Sequence, residues 1–370
     1  MSEKLWFGSD YQEGACPEII TALERTALEH HEGYGADFYT TRAKEKIRDA
    51  CGCPDAAVTF LIGGTQTNQV VIDTMCAPYE GVVAAASGHV NVHEAGAIEN
   101  SGHKVLTLPA HYGKIDPDEL EQLLADFYQD ANHEHMVFPG MVYISHPTEY
   151  GTLYTRQELT RLHHVCAAHN IPLFLDGARQ ASGLAAQGTD VNLKDIAELT
   201  DVFYIGGTKC GALFGEAVVF SKHNEPAHFV TCVKQHGALL AKGFAAGLMF
   251  DTLFTDDLYL RNGRNAVDTA MRIRQGLLEK GYRLYLDSPT NQQFVIVSNE
   301  KMQELDGRVV YGYMEKYDEG HTVIRFCTSW ATTMEDVEKL LAILRHGSEG
   351  SFRHFLRMPA RDFCRRTSVP

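Results

Sequence analysis

The run Asp201-Val202-Phe203-Tyr204-Ile205-Gly206-Gly207-Thr208-Lys209-Cys210-Gly211-Ala212 decides the fold. Residues 202–205 are apolar, β-branched or aromatic, a stretch of strand length, and the glycines around Thr208-Lys209 turn the chain sharply at its end. A second strand and turn lie upstream in Pro172-Leu173-Phe174-Leu175-Asp176-Gly177-Ala178-Arg179. Two short, near-continuous apolar strands predict a sheet buried on both faces, with Asp176 and Lys209 at strand ends.

The same rhythm extends outward. Apolar strand candidates occupy 57–62, 81–85, 104–108 and 141–145. Helices alternate with them. One starts at Pro17, a second covers about 41–51, and a third opens at Asp116-Pro117, with the aspartate as cap and proline in the first turn. A polar helix follows over 156–169. Alternating strands and helices predict a largely parallel α/β sheet. After about residue 250 the texture changes. A long helical pattern over 256–280 leads to strands near 294–297 and 322–326, then to a closing helix near Met334 capped by Thr332 or Thr333. The expected organisation is an N-terminal arm (1–15), a large domain (16–250), a smaller α+β domain (251–346) and a tail (347–370).

Composition narrows the partners. A formal charge of −15 argues against nucleic acid and anionic membranes. The nine cysteines are scattered without zinc-site spacing, which predicts free thiols in the cytoplasm. The N-terminus lacks the apolar core of a signal peptide, and no run approaches 18 apolar residues.

The chemistry lies in polar residues at the strand ends. Gly63-Gly64-Thr65-Gln66-Thr67-Asn68 joins a strand to a helix, where backbone N–H groups and the helix dipole attract a phosphate. The turn lacks P-loop or dinucleotide spacing. A lysine and an aspartate at the ends of buried strands are the pair that pyridoxal 5′-phosphate requires: the amine links to the cofactor aldehyde and the carboxylate keeps the pyridine nitrogen protonated. His89 and His93 with Glu94 have a spacing open to zinc, but no third ligand stands out, so no metal is expected.

In this order (phosphate turn, histidine, Asp-Gly-Ala-Arg, Thr-Lys) the chain resembles the pyridoxal-phosphate enzymes of fold type I, and among them the threonine aldolase and β-eliminating lyase family. The likeness runs from Phe7-Gly8-Ser9-Asp10 to about Leu344 and includes Arg325-Phe326-Cys327-Thr328-Ser329-Trp330. The resemblance implies the aspartate aminotransferase fold, with a large, mostly parallel-sheet domain and a smaller C-terminal one. It implies that Lys209 bonds the cofactor and Asp176 pairs with the pyridine nitrogen. Gly64 and Thr65 would hold the phosphate, with Thr208 as a further candidate, and His89 would stack on the ring. Ser9, Arg179 and Arg325 match residues that grip the substrate carboxylate, and His135 matches a second histidine near the substrate hydroxyl. A homodimer or homotetramer with active sites at the subunit interface is also implied.

The chain departs from the family pattern in places. Thr208-Lys209 replaces Ser-Lys. In the segment His236-Gly237-Ala238-Leu239-Leu240-Ala241-Lys242-Gly243 a leucine stands where a neighbouring subunit's phosphate-binding arginine is usual, and Lys242 is the candidate substitute. Ser145-His146-Pro147-Thr148-Glu149 replaces Glu-Asn-Thr-His after the fourth strand. The expected activity is aldol cleavage of L-threonine-type β-hydroxy-α-amino acids to glycine and an aldehyde, with His89 or His135 as base. The alternatives are β-elimination or other Cα chemistry at the same site, and a binding protein without turnover.

Overall fold

A computed structural model of the chain describes residues 4–344; the expected tail, 347–370, lies outside them. Twelve strands are described: β1 (Leu5–Phe7), β2 (Ala57–Leu61), β3 (Glu80–Ala85), β4 (Val105–Leu108), β5 (Phe138–Ser145), β6 (Leu173–Asp176), β7 (Val202–Gly206), β8 (Glu216–Phe220), β9 (Arg283–Leu284), β10 (Gln292–Ser298), β11 (Val309–Lys316) and β12 (His321–Cys327).

Seven of them form one sheet in the order β2-β8-β7-β6-β5-β3-β4. From β7 to β4 every pairing is parallel. The strand β8, absent from the sequence expectations, is inserted antiparallel between β2 and β7. Alternate residues supply two separate cores. Val142, Ile144, Leu173, Leu175, Phe203 and Ile205 face one side. Met141, Tyr143, Phe174, Val202, Tyr204 and Val218 face the other. Period-two alternation with both faces covered explains why these strands read as unbroken apolar runs.

Local signals set the helix boundaries. Pro17 begins the helix Pro17–Thr26, and the Asp116 side chain caps Pro117–Gln129. Thr155 and Glu158 form a reciprocal capping box on Arg156–Ala168, and Thr333 caps Met334–Ile343. The helix Phe38–Cys51 starts three residues before the expected 41, because Asp37 accepts from Thr40 N–H and fixes the first turn there.

The second sheet, β1-β11-β12-β10-β9, is antiparallel except where β1 joins β11 in parallel. Its core is closed by the helices Leu258–Glu279 and Met334–Ile343 through Ile273, Leu277, Val337 and Leu340. The N-terminal arm is therefore a strand of this sheet, and it carries Ser9 and Asp10 toward the end of the large sheet. No described helix is long and apolar enough to cross a membrane. The described cysteines are all free thiols.

Candidate active site

Pleat parity builds the site. Asp176 shares a sheet face with Phe174, and Ser145 with Tyr143, while Glu216 shares it with Val218. The helix Gly64–Met75 covers this same face with Val70, Val71 and Ile72. Polar side chains at one end of the sheet thus converge under that helix's N-terminus.

Asp176 is the centre. Its Oδ2 accepts from Tyr143 OH at 2.5 Å and from Asn68 Nδ2 at 3.1 Å, and Oδ1 accepts from Ala178 N–H at 3.0 Å. Tyr204 adds a further hydrogen bond. Burial pushes this carboxyl upward, but the His89 charge, the two phenols and the Ala178 N–H outweigh it, so Asp176 stays ionised below its ordinary value. Asn68 also donates to Glu94 Oε1 at 2.7 Å, and Glu94 Oε1 lies 2.6 Å from His89 Nδ1. The His89 backbone N–H donates to Glu149 Oε1 at 3.0 Å. Ser145 Oγ donates to the same oxygen at 2.7 Å and lies 3.2 Å from Tyr143 OH. The network closes into a ring: Asp176, Asn68, Glu94, His89, Glu149, Ser145, Tyr143. Burial pulls the His89 imidazole downward, yet Glu94 and Asp176 prevail and hold it above its ordinary value.

Lys209 sits half-buried in the short turn Thr208–Cys210 after β7. Burial and the Arg179 charge lower its basicity, opposed by Asp10, Asp176 and Glu216. A lysine with reduced proton affinity is the form that attacks an aldehyde.

The two arginines differ. Arg179 Nε and Nη2 donate to the two oxygens of Asp10 at 2.7 and 3.0 Å. Two of the Arg179 donors are therefore held by Asp10, and Nη1 is the donor left for a substrate carboxylate. Arg325 donates to Gln292 Oε1 and to the Gly8 carbonyl, both at 2.9 Å. Both partners are neutral, Nε is buried without a partner, and no described carboxylate lies within ion-pair distance. Ser9, next to Gly8, has a buried hydroxyl with no described partner.

The expectation for His135 is corrected. It lies in the exposed turn His133–His135, before β5 begins. β5 runs eight residues from there to Ser145, which registers with Asp176, so His135 is at the far end of the sheet, roughly 25 Å away. The residue that the turn after β5 does bring to the site is Glu149. Lys242 is exposed, and no described hydrogen bond or ion pair joins it to the Lys209 cluster.

The residues fit pyridoxal 5′-phosphate. Asp176 is an ionised acceptor for the ring nitrogen, Lys209 an amine for the aldehyde, and the uncapped start of Gly64–Met75 a donor set for phosphate. A Cβ on Gly64 would stand 3.1 Å from Tyr204 OH, so glycine keeps that approach open. Buried oxygens without described partners (Ser9 Oγ, Ser87 Oγ, Glu149 Oε2 and Glu216 Oε2) suit a site built around a polar guest.

Comparison with known proteins agrees. The beta-eliminating lyase family model matches residues 7–310. The chain belongs to that family. It is 30% identical over 347 residues to the low specificity L-threonine aldolase of a Pseudomonas species, spanning 92% of this chain and 96% of that protein. The threonine aldolase of Leishmania major superposes with a TM-score of 0.89 at 40% identity, covering 92% and 98% of the two chains. Cystalysin from Treponema denticola, whose structure contains pyridoxal 5′-phosphate, shares the fold with a TM-score of 0.70 at 15% identity over 93% and 91%. Within this lyase family the fold is the aspartate aminotransferase type.

Sequence reading missed Asp10, Asn68, Glu94, Tyr143, Tyr204, Glu149 and Glu216. Tyr143, Tyr204 and Glu216 carried a usable signal, each being a polar group inside an otherwise apolar strand. Glu94 stood out only as a neighbour of His89 and His93 in a metal-type spacing, and Asn68 carried no signal, because only the fold brings the two to Asp176 and His89.

Proposed function

We propose that this chain is a pyridoxal-phosphate-dependent aldolase that cleaves L-threonine and L-allo-threonine to glycine and acetaldehyde. The observation that carries the reading is Arg325, a half-buried guanidinium with no described carboxylate partner beside the Lys209–Asp176 pair. A guanidinium binds a carboxylate through two parallel hydrogen bonds, which suits an α-amino acid. The names of the Pseudomonas and Leishmania relatives support threonine as the substrate type.

When bound, the cofactor supplies an electron sink for the substrate Cα. The chain's residues do the rest. Asp176, fixed by its donors, keeps the ring nitrogen protonated. Arg325 and Ser9 hold the carboxylate, which selects the bond set across the ring plane. Glu149 takes the β-hydroxyl proton as Cα–Cβ breaks. Burial raises its affinity for a proton, and His89 and Ser145 fix its position. His89, kept protonated more readily than usual, is a ring-facing cation and a poorer base. A homodimer or homotetramer, with exposed Lys242 offered to a neighbour's phosphate site, completes the proposal.

Incubating the purified holoenzyme with each threonine stereoisomer tests it. Glycine and acetaldehyde from the L-isomers, with the D-isomers untouched, is the expected result. Dominant 2-oxobutyrate with ammonia would refute the aldolase reading in favour of elimination.

A further inference from the structure

Glu216 is a buried carboxyl that the reaction above does not use. It opens β8, and its register neighbours are Leu61 on one side and Gly206 on the other. Two residues beyond Leu61 begins Gly63-Gly64-Thr65, and two beyond Gly206 comes Thr208. Glu216 therefore lies between the two turns that flank the phosphate end of the site, on the sheet face covered by the helix Gly64–Met75. It is 3% exposed.

Its hydrogen bonds are asymmetric. Oε1 accepts from Thr208 Oγ1 at 3.1 Å. Oε2 is buried with no described partner. A carboxylate oxygen left so would be costly, whereas a protonated one is a donor awaiting an acceptor. The Thr208 hydrogen points at Glu216 and not outward, so the expected phosphate contact of Thr208 passes through this carboxyl.

We infer that Glu216 is a neutral carboxylic acid whose Oε2–H donates a hydrogen bond to the cofactor phosphate, in place of a cation at that corner of the cradle. This rests on the cofactor assignment. The surroundings agree. Burial raises the carboxyl to about 8, opposed by Lys209 and the Thr208 hydroxyl and reinforced by Asp176. The other titratable groups facing it are Tyr204 on β7 and Tyr259 on the helix Leu258–Glu279, both phenols that stay neutral in this range. A phosphate dianion beside it favours the protonated form further, so binding above pH 8 draws a proton from solution.

The test uses pyridoxine 5′-phosphate, which has the phosphate but no aldehyde for Lys209, and pyridoxine, which has neither. Equilibrium dialysis against the apoenzyme from pH 7 to 9.5 gives their affinities. For wild type, pyridoxine 5′-phosphate affinity should fall roughly tenfold per pH unit above about 8. In Glu216→Gln, whose amide donates at every pH, that decline should flatten. Pyridoxine should bind both proteins alike. In weakly buffered wild type at pH 8.5, binding of pyridoxine 5′-phosphate should take up more protons than binding of pyridoxine, which shares the ring nitrogen facing Asp176 but has no phosphate, a readout independent of the variant's folding. Equal pH slopes in both proteins, an equal change for pyridoxine, or equal proton uptake with the two ligands would overturn the inference. Failure of wild type to bind pyridoxine 5′-phosphate at pH 7 would overturn the cofactor assignment itself.

Discussion

Tyr143 OH and Asp176 Oδ2 lie 2.5 Å apart on neighbouring strands, closer than the Asn68 and Ala178 donors to that carboxylate. Each is buried, so the bond acts at low dielectric. Tyr143→Phe removes a charge-assisted hydrogen bond worth roughly 1.5–3 kcal/mol, and turnover should fall about ten- to hundredfold with cofactor retained. Asp176→Asn should be slower still. Steady-state kinetics with absorbance of the bound cofactor checks both; unchanged kcat in Asp176→Asn would remove its electronic role.

Lys209→Ala should lose all turnover and the covalent chromophore while keeping the fold, since half-buried Lys209 makes no ion pair on which the turn depends. Borohydride treatment followed by peptide mapping decides it. A reduced adduct elsewhere in the chain would show the assignment wrong.

The arginines should separate. Arg325→Lys is expected to raise KM, with a ten- to hundredfold loss in kcat/KM at roughly 1.5–3 kcal/mol, and to leave cofactor binding alone. Asp10→Ala breaks a buried bidentate pair and should lower stability by roughly 3–5 kcal/mol as well. Denaturant titration beside kinetics distinguishes the two. Equal stability losses would contradict the division of roles.

Glu149→Gln keeps shape but accepts no proton. Turnover should drop while amino-acid binding persists, and the acid limb of the pH–rate profile should disappear. A profile unchanged from wild type would move the base elsewhere.

His146 gives a stability prediction. Its Nδ1 accepts the Tyr154 N–H, and burial lowers it to about 4. The unfolded chain binds this proton near 6.5 and the folded chain only near 4, so stability falls as pH drops between those values, by about 3 kcal/mol at most. His146→Gln should flatten that part of a thermal-melt series from pH 7 to 4; an identical slope would exclude the histidine as its source.

The large sheet was legible because its strands are apolar throughout, and Lys209, Asp176 and the Gly64 turn were legible because strand ends with glycine announce themselves. β8 was not, since it is only five residues long and opens on the charged Glu216, whose burial only the neighbouring turns reveal. β1 was hidden by its length of three residues and by a partner strand three hundred positions away. His135 precedes β5 and so lies at its N-terminal end, whereas Ser145 and Asp176 stand at the C-terminal ends of parallel strands. The Arg179–Asp10 pair was not legible, because Asp10 follows a strand of the other sheet and stands 169 positions away.

That pairing of β1 with β11 bears on how the enzyme is made. Ser9 and Asp10 are synthesised before the large sheet, yet β11, which pairs with the strand leading to them, and Arg325, which meets the Gly8 carbonyl, are synthesised after it. The strand ends that carry Lys209 and Asp176 precede that point, but the contacts of Gly8 and Arg325 must wait until β11 and β12 have been made. A fragment stopped before residue 309 would retain Lys209 and Asp176 and lack Arg325, so the two halves of the site are separated in the order of synthesis as well as in space.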